Sequence, residues 1–186
     1  MTVHLVPVGV AELPDFFALH DRSCFGGCYC AVWTRFGDDW AQRCAARTPN
    51  RDAMEARVQA GHHIGFLARA DDRTVGWTGA GPRHCFPGLA SRAGARAHVP
   101  DGASWIIGCL AFHPEARGRG FADTTVAAVV QLAHDAGAAC VDAFPVRPWD
   151  EPRSYRGSER LYARHGFDEV GAEREVVVMR RMLRPR

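Results

Sequence analysis

The chain has no lysine; all 23 of its basic side chains are arginine. Alongside abundant alanine and glycine this reads as a coding bias, so arginine number alone identifies no function. Other absences exclude more. The P-loop pattern G-x-x-x-x-G-K-[ST] does not occur, which argues against a nucleotide triphosphatase. A net charge of +2 is too small for a dedicated nucleic-acid or membrane-surface binder, so any electrostatic role belongs to a local cluster. No stretch approaches the roughly 18 uninterrupted apolar residues of a membrane span, and "MTVHLVPVGVAEL" lacks the basic start and apolar core of a signal peptide. Seven cysteines, an odd number without a secretion signal, are expected as mostly reduced thiols in a cytoplasmic protein. Repeats, low-complexity tracts and domain linkers are also missing. With 186 residues, 47% of them apolar and 24% charged, a single domain over residues 1–186 is expected.

What is present alternates between the two periodicities. "TVHLVPV" reads as a first strand, and "AELPDFFALHDRS" as a helix with Phe16, Phe17 and Leu19 inward and Pro14 in its first turn. "DDWAQRCAARTPN" and "RDAMEARVQAG" read as helical pieces divided at Pro49. "HIGFLARA" and "RTVGWTGAGP" form a hairpin across "ADDR". A Gly/Ala/Pro-rich loop follows, then "WIIGCLAFHP", a strand-length apolar run closed by Pro114. From Phe121 to Ala136 one helical stripe carries Ala122, Val126, Val129, Val130, Ala133 and Ala136, and Gly137 supplies the stop. "AACVDAFPV" is a further strand, "RPWDEPRSYRG" a loop, "SERLYARHGF" a short helix and "EREVVVMRRML" a final strand. The order predicts an α/β fold around one mixed sheet.

The segment "FHPEARGRGFADTT" places a glycine-rich turn between a strand and a helix. A helix start offers unpaired N–H donors and the positive end of the macrodipole. Gly118 and Gly120 let a ligand approach the backbone, while Arg117 and Arg119 add forked donors matched to phosphate oxygens. A phosphate or pyrophosphate is the anion these features fit. The same six residues also fit a plain turn with solvent-facing arginines. "GRGFAD" lacks the third glycine of the dinucleotide fingerprint.

Two motifs carry a resemblance. "RGRGFA" matches R/Q-x-x-G-x-G/A through Arg117, Gly120 and Ala122, and about forty residues on "LYARHGF" presents Leu161, Tyr162, Gly166 and Phe167. At this spacing and in this element order, the chain resembles the GNAT N-acetyltransferases over nearly its whole length. The resemblance implies their acyl-CoA N-acyltransferase fold, a mixed central sheet split into a V at the CoA site and flanked by helices. It implies acetyl-CoA as co-substrate, lying between Trp105–Phe112 and Ala139–Phe144. Leu110, Ala111 and Phe112 would bond the pantetheine arm, and Arg117, Gly118, Arg119, Gly120, Phe121 and Ala122 the pyrophosphate. Tyr162 would protonate the departing thiolate after direct attack by an amine. A CoA-binding protein without turnover, or a transferase using another acyl donor, would share these motifs. Homodimers are common in the family, and the final strand could pair across subunits.

The strand "SWIIGCLAF" lacks the carboxylate that many members use as a base. Asp101, His113, Glu115, Asp142 and His84 lie nearby in sequence, and none stands out. In "CFGGCYCAVW" the resemblance points to Cys28, Tyr29, Cys30 and Trp33 as acceptor-pocket residues. Trp149, Asp150, Arg153 and Tyr155 in the later loop are further acceptor candidates. Cys24, Cys28, Cys30 and Cys44 are four clustered thiols, but C-x3-C-x-C is not paired C-x2-C spacing, and no metal is expected. Cys109 and Cys140, in strands, are expected to be inert core. The acceptor is expected to be a small-molecule amine, not a nucleic acid or a membrane.

Overall fold

A computed structural model describes residues 3–34, 39–91, 104–149 and 155–184. Strand β1 (His4–Pro7) leads into helix α1 (Leu13–His20), whose first turn holds Pro14 and whose buried face carries Phe16, Phe17 and Leu19. Helices α2 (Trp40–Ala46) and α3 (Thr48–Gln59) meet at Arg47, not at Pro49. Pro49 sits in the first turn of α3, where its missing N–H has no helical partner to lose. The hairpin of β2 (Phe66–Ala70) and β3 (Arg73–Pro82) turns at Asp71 and Asp72, with φ of 48° and 58°. Two positive φ values match the right-handed strand twist that tight hairpins need.

Strand β4 (Ser104–Phe112) is buried along its whole length, which is why it reads as a continuous apolar run without alternation. Helix α4 (Phe121–Asp135) buries Val126, Val129, Val130 and Ala133 as the stripe predicts, and adds Phe121 and Thr125. Ala136 lies at its exposed C-cap. Strand β5 (Cys140–Ala143) and helix α5 (Glu159–Arg164) follow, with the Ser158 hydroxyl accepting from Leu161 N–H at 3.2 Å.

The chain ends in two strands where one is predicted, β6 (Asp168–Glu173) and β7 (Val176–Met182). Strand β6 is almost wholly exposed, so it carries no hydrophobic alternation to betray it. The sheet order is β1-β2-β3-β4-β5-β7-β6. Strand β7 therefore has β5 on one side and β6 on the other. This corrects the expectation of cross-subunit pairing, because the final strand has no free edge to offer.

The described neighbours pair antiparallel except β4 and β5. That parallel pair runs only from Ser104↔Cys140 to Ile107↔Ala143, while β4 continues to Phe112. The two strands part there, opening the sheet as a V. A bulge at Gly79/Ala80 sets Gly79 opposite Cys109 and Ala80 opposite Ile107, leaving Gly108 as the extra residue. Side chains of β4 then change phase. Ile107 and Leu110 face α4, whereas Ile106, Cys109 and Ala111 join Phe16, Trp33 and Trp77 on the other face. Among the described residues no helix is long and apolar enough to cross a membrane.

Candidate active site

On the α4 face, β4, the glycine-arginine turn and the segment entering α5 enclose a cleft of about 430 Å³. Leu110, Phe112, Arg117, Gly118, Gly120, Phe121 and Ala122 line it, so one sequence stretch reaches one concave surface. Ala111 points to the opposite face, and Arg119 leans over the Phe121 ring at 5.3 Å. Gly118 and Gly120 have φ of 70° and 79°, and a Cβ at either would meet nothing within 4 Å. Glycine is needed here for its backbone conformation. The result is a helix start open to an anion, with the Arg117 side chain on its rim.

The Leu110 N–H, on the free edge of β4, donates to the Tyr155 carbonyl at 2.6 Å. The Tyr155 hydroxyl donates to the Cys24 carbonyl. Tyr155 thus bridges the V from the loop before α5, and its side chain borders a second cavity on the far face of the sheet. That cavity, about 420 Å³, is walled by Phe25, Val32, Trp33 and Trp40, with Cys28, Cys44, Cys109, Arg156 and Glu175 among its polar groups. Of the acceptor candidates, Cys28, Trp33 and Tyr155 line it, while Trp149 lines the first cleft. Tyr29 and Cys30 lie in the core behind its wall. The Tyr29 hydroxyl donates to Asp21 at 2.5 Å, and the Cys30 sulfur accepts from the Trp77 indole at 3.0 Å. Asp150 and Arg153 lie outside the described residues.

Tyr162 is wholly buried and donates to the Arg156 carbonyl at 2.6 Å. Burial pushes its pKa far above the ordinary phenol value, so it is a protonated donor at any working pH. It lines neither cavity. Gly157, which does line the first cleft, lies against it, and a Cβ there would stand 2.9 Å from the hydroxyl.

None of the sequence-proposed bases among the described residues lines either cavity. Asp142 is buried between Arg83 (2.7 Å) and Arg180 (2.7 and 2.8 Å). His113 and Glu115 are both engaged by Arg22, and His84 is exposed. Asp101 lies outside the described residues.

Cys109 is core, 5% exposed, and also borders the second cavity. Its sulfur accepts from the Trp33 indole at 3.3 Å at the floor of the second cavity. Hydrogen bonds from Cys30 and Trp33, together with the nearby Arg156 charge, outweigh burial and hold the Cys109 thiol below its ordinary pKa. Burial pushes the Cys30 thiol well above the ordinary value. Arg156 stacks over Trp33 at 5.0 Å. The sequence signal for Cys109 was the glycine before it, since a lone glycine inside a strand marks a bulge. Among the described residues no group of three or more His, Cys, Asp or Glu side chains is placed to hold a metal ion.

Comparison with known proteins agrees with this geometry. The chain superposes on an acetyltransferase from Corynebacterium glutamicum described as histone acetyltransferase HPA2 and related acetyltransferase, with a TM-score of 0.60, 19% identity, and coverage of 100% of this chain and 99% of that one. It also superposes on the PaiA N-acetyltransferase of Thermoplasma acidophilum in complex with coenzyme A, with a TM-score of 0.61, 11% identity, and coverage of 98% and 99%. For the aminoglycoside acetyltransferase AAC(6')-Ib in complex with coenzyme A, the TM-score is 0.63, the identity 17% and the coverage 97% and 95%. At these identities the likeness is one of fold. Comparison with curated proteins finds no match. The family model for the acetyltransferase (GNAT) family matches residues 27–167. With that match over most of its length, the split sheet and the glycine-arginine turn at the start of α4, the chain belongs to the GNAT family of acetyltransferases.

Proposed function

We propose that the protein, acting as one domain over residues 1–186 in the cytoplasm, transfers the acetyl group of acetyl-CoA to the amine of a small molecule by direct attack. The observation that carries this reading is the pair of cavities on opposite faces of the split sheet, meeting at Tyr155. Acetyl-CoA would enter the first, its pyrophosphate on the amides of Gly118 to Ala122 and on Arg117. The acceptor would enter the second, whose aromatic walls suit an amine with a flat apolar body. A pantetheine arm on the β4 edge has to displace the Tyr155 carbonyl from Leu110 N–H. The next peptide, at Arg156, holds the Tyr162 hydroxyl. Moving this segment aside would free the phenol to protonate the departing thiolate, a role its raised pKa keeps available.

Isothermal calorimetry with CoA tests the first half of the reading. Micromolar-range binding is expected, and Arg117→Ala should weaken it about 10- to 100-fold, as loss of a charged hydrogen bond worth about 1.5–3 kcal/mol does. No CoA binding by the wild type would end the reading. Tyr162→Phe, with CoA affinity retained, should lower kcat about 100-fold or more; an unchanged kcat would remove Tyr162 from the chemistry.

A further inference from the structure

The reaction needs a group that takes a proton from the acceptor ammonium, and the carboxylates named from the sequence that can be placed do not border the acceptor cavity. We propose that the thiolate of Cys109 is that base, resting on the acetyl-transfer reading above. Four observations converge on it. The bulge at Gly108 reverses the phase of β4, so that Cys109 faces the acceptor cavity while Leu110, next in the chain, faces the CoA cleft. The sulfur therefore sits beside the point where the two substrates meet. Its surroundings favour an anion, since the Trp33 indole donates to the sulfur at 3.3 Å. Arg156 supplies positive charge from the loop before α5, stacked on Trp33 at 5.0 Å. Finally, the lowered pKa of Cys109 agrees with the geometry.

The other titratable groups around Cys109 are few. Cys28 and Cys30 approach from the segment before Trp33, Tyr162 from α5, and Glu175 from the β6–β7 turn at the cavity wall. Burial raises the pKa of both Cys30 and Tyr162 and keeps them in their neutral forms.

In the step proposed, the ammonium gives one proton to the Cys109 thiolate and becomes a neutral amine. Its lone pair forms the C–N bond as the thioester C–S bond breaks. The nitrogen sheds its second proton while the CoA sulfur gains one from Tyr162, which is thereby restored. The Cys109 thiol then returns its proton to water through the open cavity. No bond to the Cys109 sulfur forms at any stage.

Alkylation by iodoacetamide, followed at Cys109 by peptide mass spectrometry across pH 5–10, reads the thiolate without any acceptor. A midpoint below the ordinary thiol value of about 8.5 is expected, moving up in Arg156→Met. A midpoint at or above that value overturns the proposal. Turnover is then read with 2-phenylethylamine, whose body matches the Phe25, Trp33 and Trp40 walls. Cys109→Ser should lower kcat about 100-fold or more and erase the acidic limb of the pH profile, with the KM for acetyl-CoA within twofold. A kcat within threefold of wild type, or an unchanged acidic limb, overturns it. A mass gain of one acetyl group at Cys109 on incubation with acetyl-CoA alone also overturns it, in favour of an acyl-enzyme. Calorimetry with CoA is unaffected by any of these outcomes, so failure of the base and failure of the acetyl-transfer reading remain distinguishable.

Discussion

His20 makes the stability of this protein depend on pH in a calculable way. It lies at the end of α1, 2% exposed, packed against Phe16, Phe25, Tyr29 and Trp77. Its Nδ1–H donates to the Phe16 carbonyl at 3.0 Å, while Nε2 is buried without a partner. Desolvation lowers its pKa from 6.5 to about 4, against smaller raising effects of that carbonyl and of Asp21. Between these two values the unfolded chain binds a proton that the folded chain refuses, so stability falls as pH drops from 6.5 to about 4 and levels off below. The slope is about 1.4 kcal/mol per pH unit inside that window, and the loss from pH 7.5 to pH 4.5 is about 2.5 kcal/mol. Other groups titrate over the same range, so the comparison is with His20→Leu, which keeps the volume and removes the proton. At pH 7.5 the variant should be at least as stable as wild type, because the unpartnered Nε2 is gone. At pH 4.5 it should gain about 2.5 kcal/mol over wild type relative to that reference, read from urea unfolding curves at 25 °C. Identical pH dependence of the two proteins, within about 0.5 kcal/mol, would refute a buried neutral histidine and the packing that implies it.

Asp142→Asn removes the anion from between two arginines inside the sheet and should cost about 3–5 kcal/mol in urea unfolding. A change below about 1 kcal/mol would mean the pair is solvated. Gly157→Ala places a Cβ 2.9 Å from Tyr162 at a φ of +75°. It should cost about 1–3 kcal/mol, a melting shift of several degrees, and lower turnover by moving the phenol. In Gly120→Ala the new Cβ meets nothing, so the cost is that of the left-handed conformation alone, about 1–2 kcal/mol. An unchanged melting temperature would contradict a positive φ at that position.

Much of the first cleft was legible because its residues lie in one continuous stretch. Residues 117–122 are a strand-to-helix turn whose glycines and arginines announce an anion before any fold is known, and seven of the nine residues named for this site line one cleft. The second cavity was legible only in part. Cys28 and Cys30 are two residues apart, yet one faces the cavity and the other the core. The segment between them turns through left-handed conformations at Tyr29 and Cys30, with φ of 48° and 54°, so no periodicity sorts inward from outward. The exposed edge strand β6 escaped for a related reason, since a strand with no buried face has no pattern to read.

From the sequence alone came the order of elements, the apolar stripe of α4, the glycine-arginine turn and the Leu161–Tyr162 helix, all set by local spacing. The tertiary structure decided which groups oppose one another. It showed Tyr155 bonded to the free edge of β4, Tyr162 enclosed against Arg156, and Cys109 between Trp33 and Arg156. Tyr155 and Leu110, and Cys109 and Trp33, lie many tens of positions apart, and the face that Cys109 takes hangs on a bulge one residue long. Spacing along a chain cannot carry that information, because a single extra residue in a strand exchanges the two faces of everything after it.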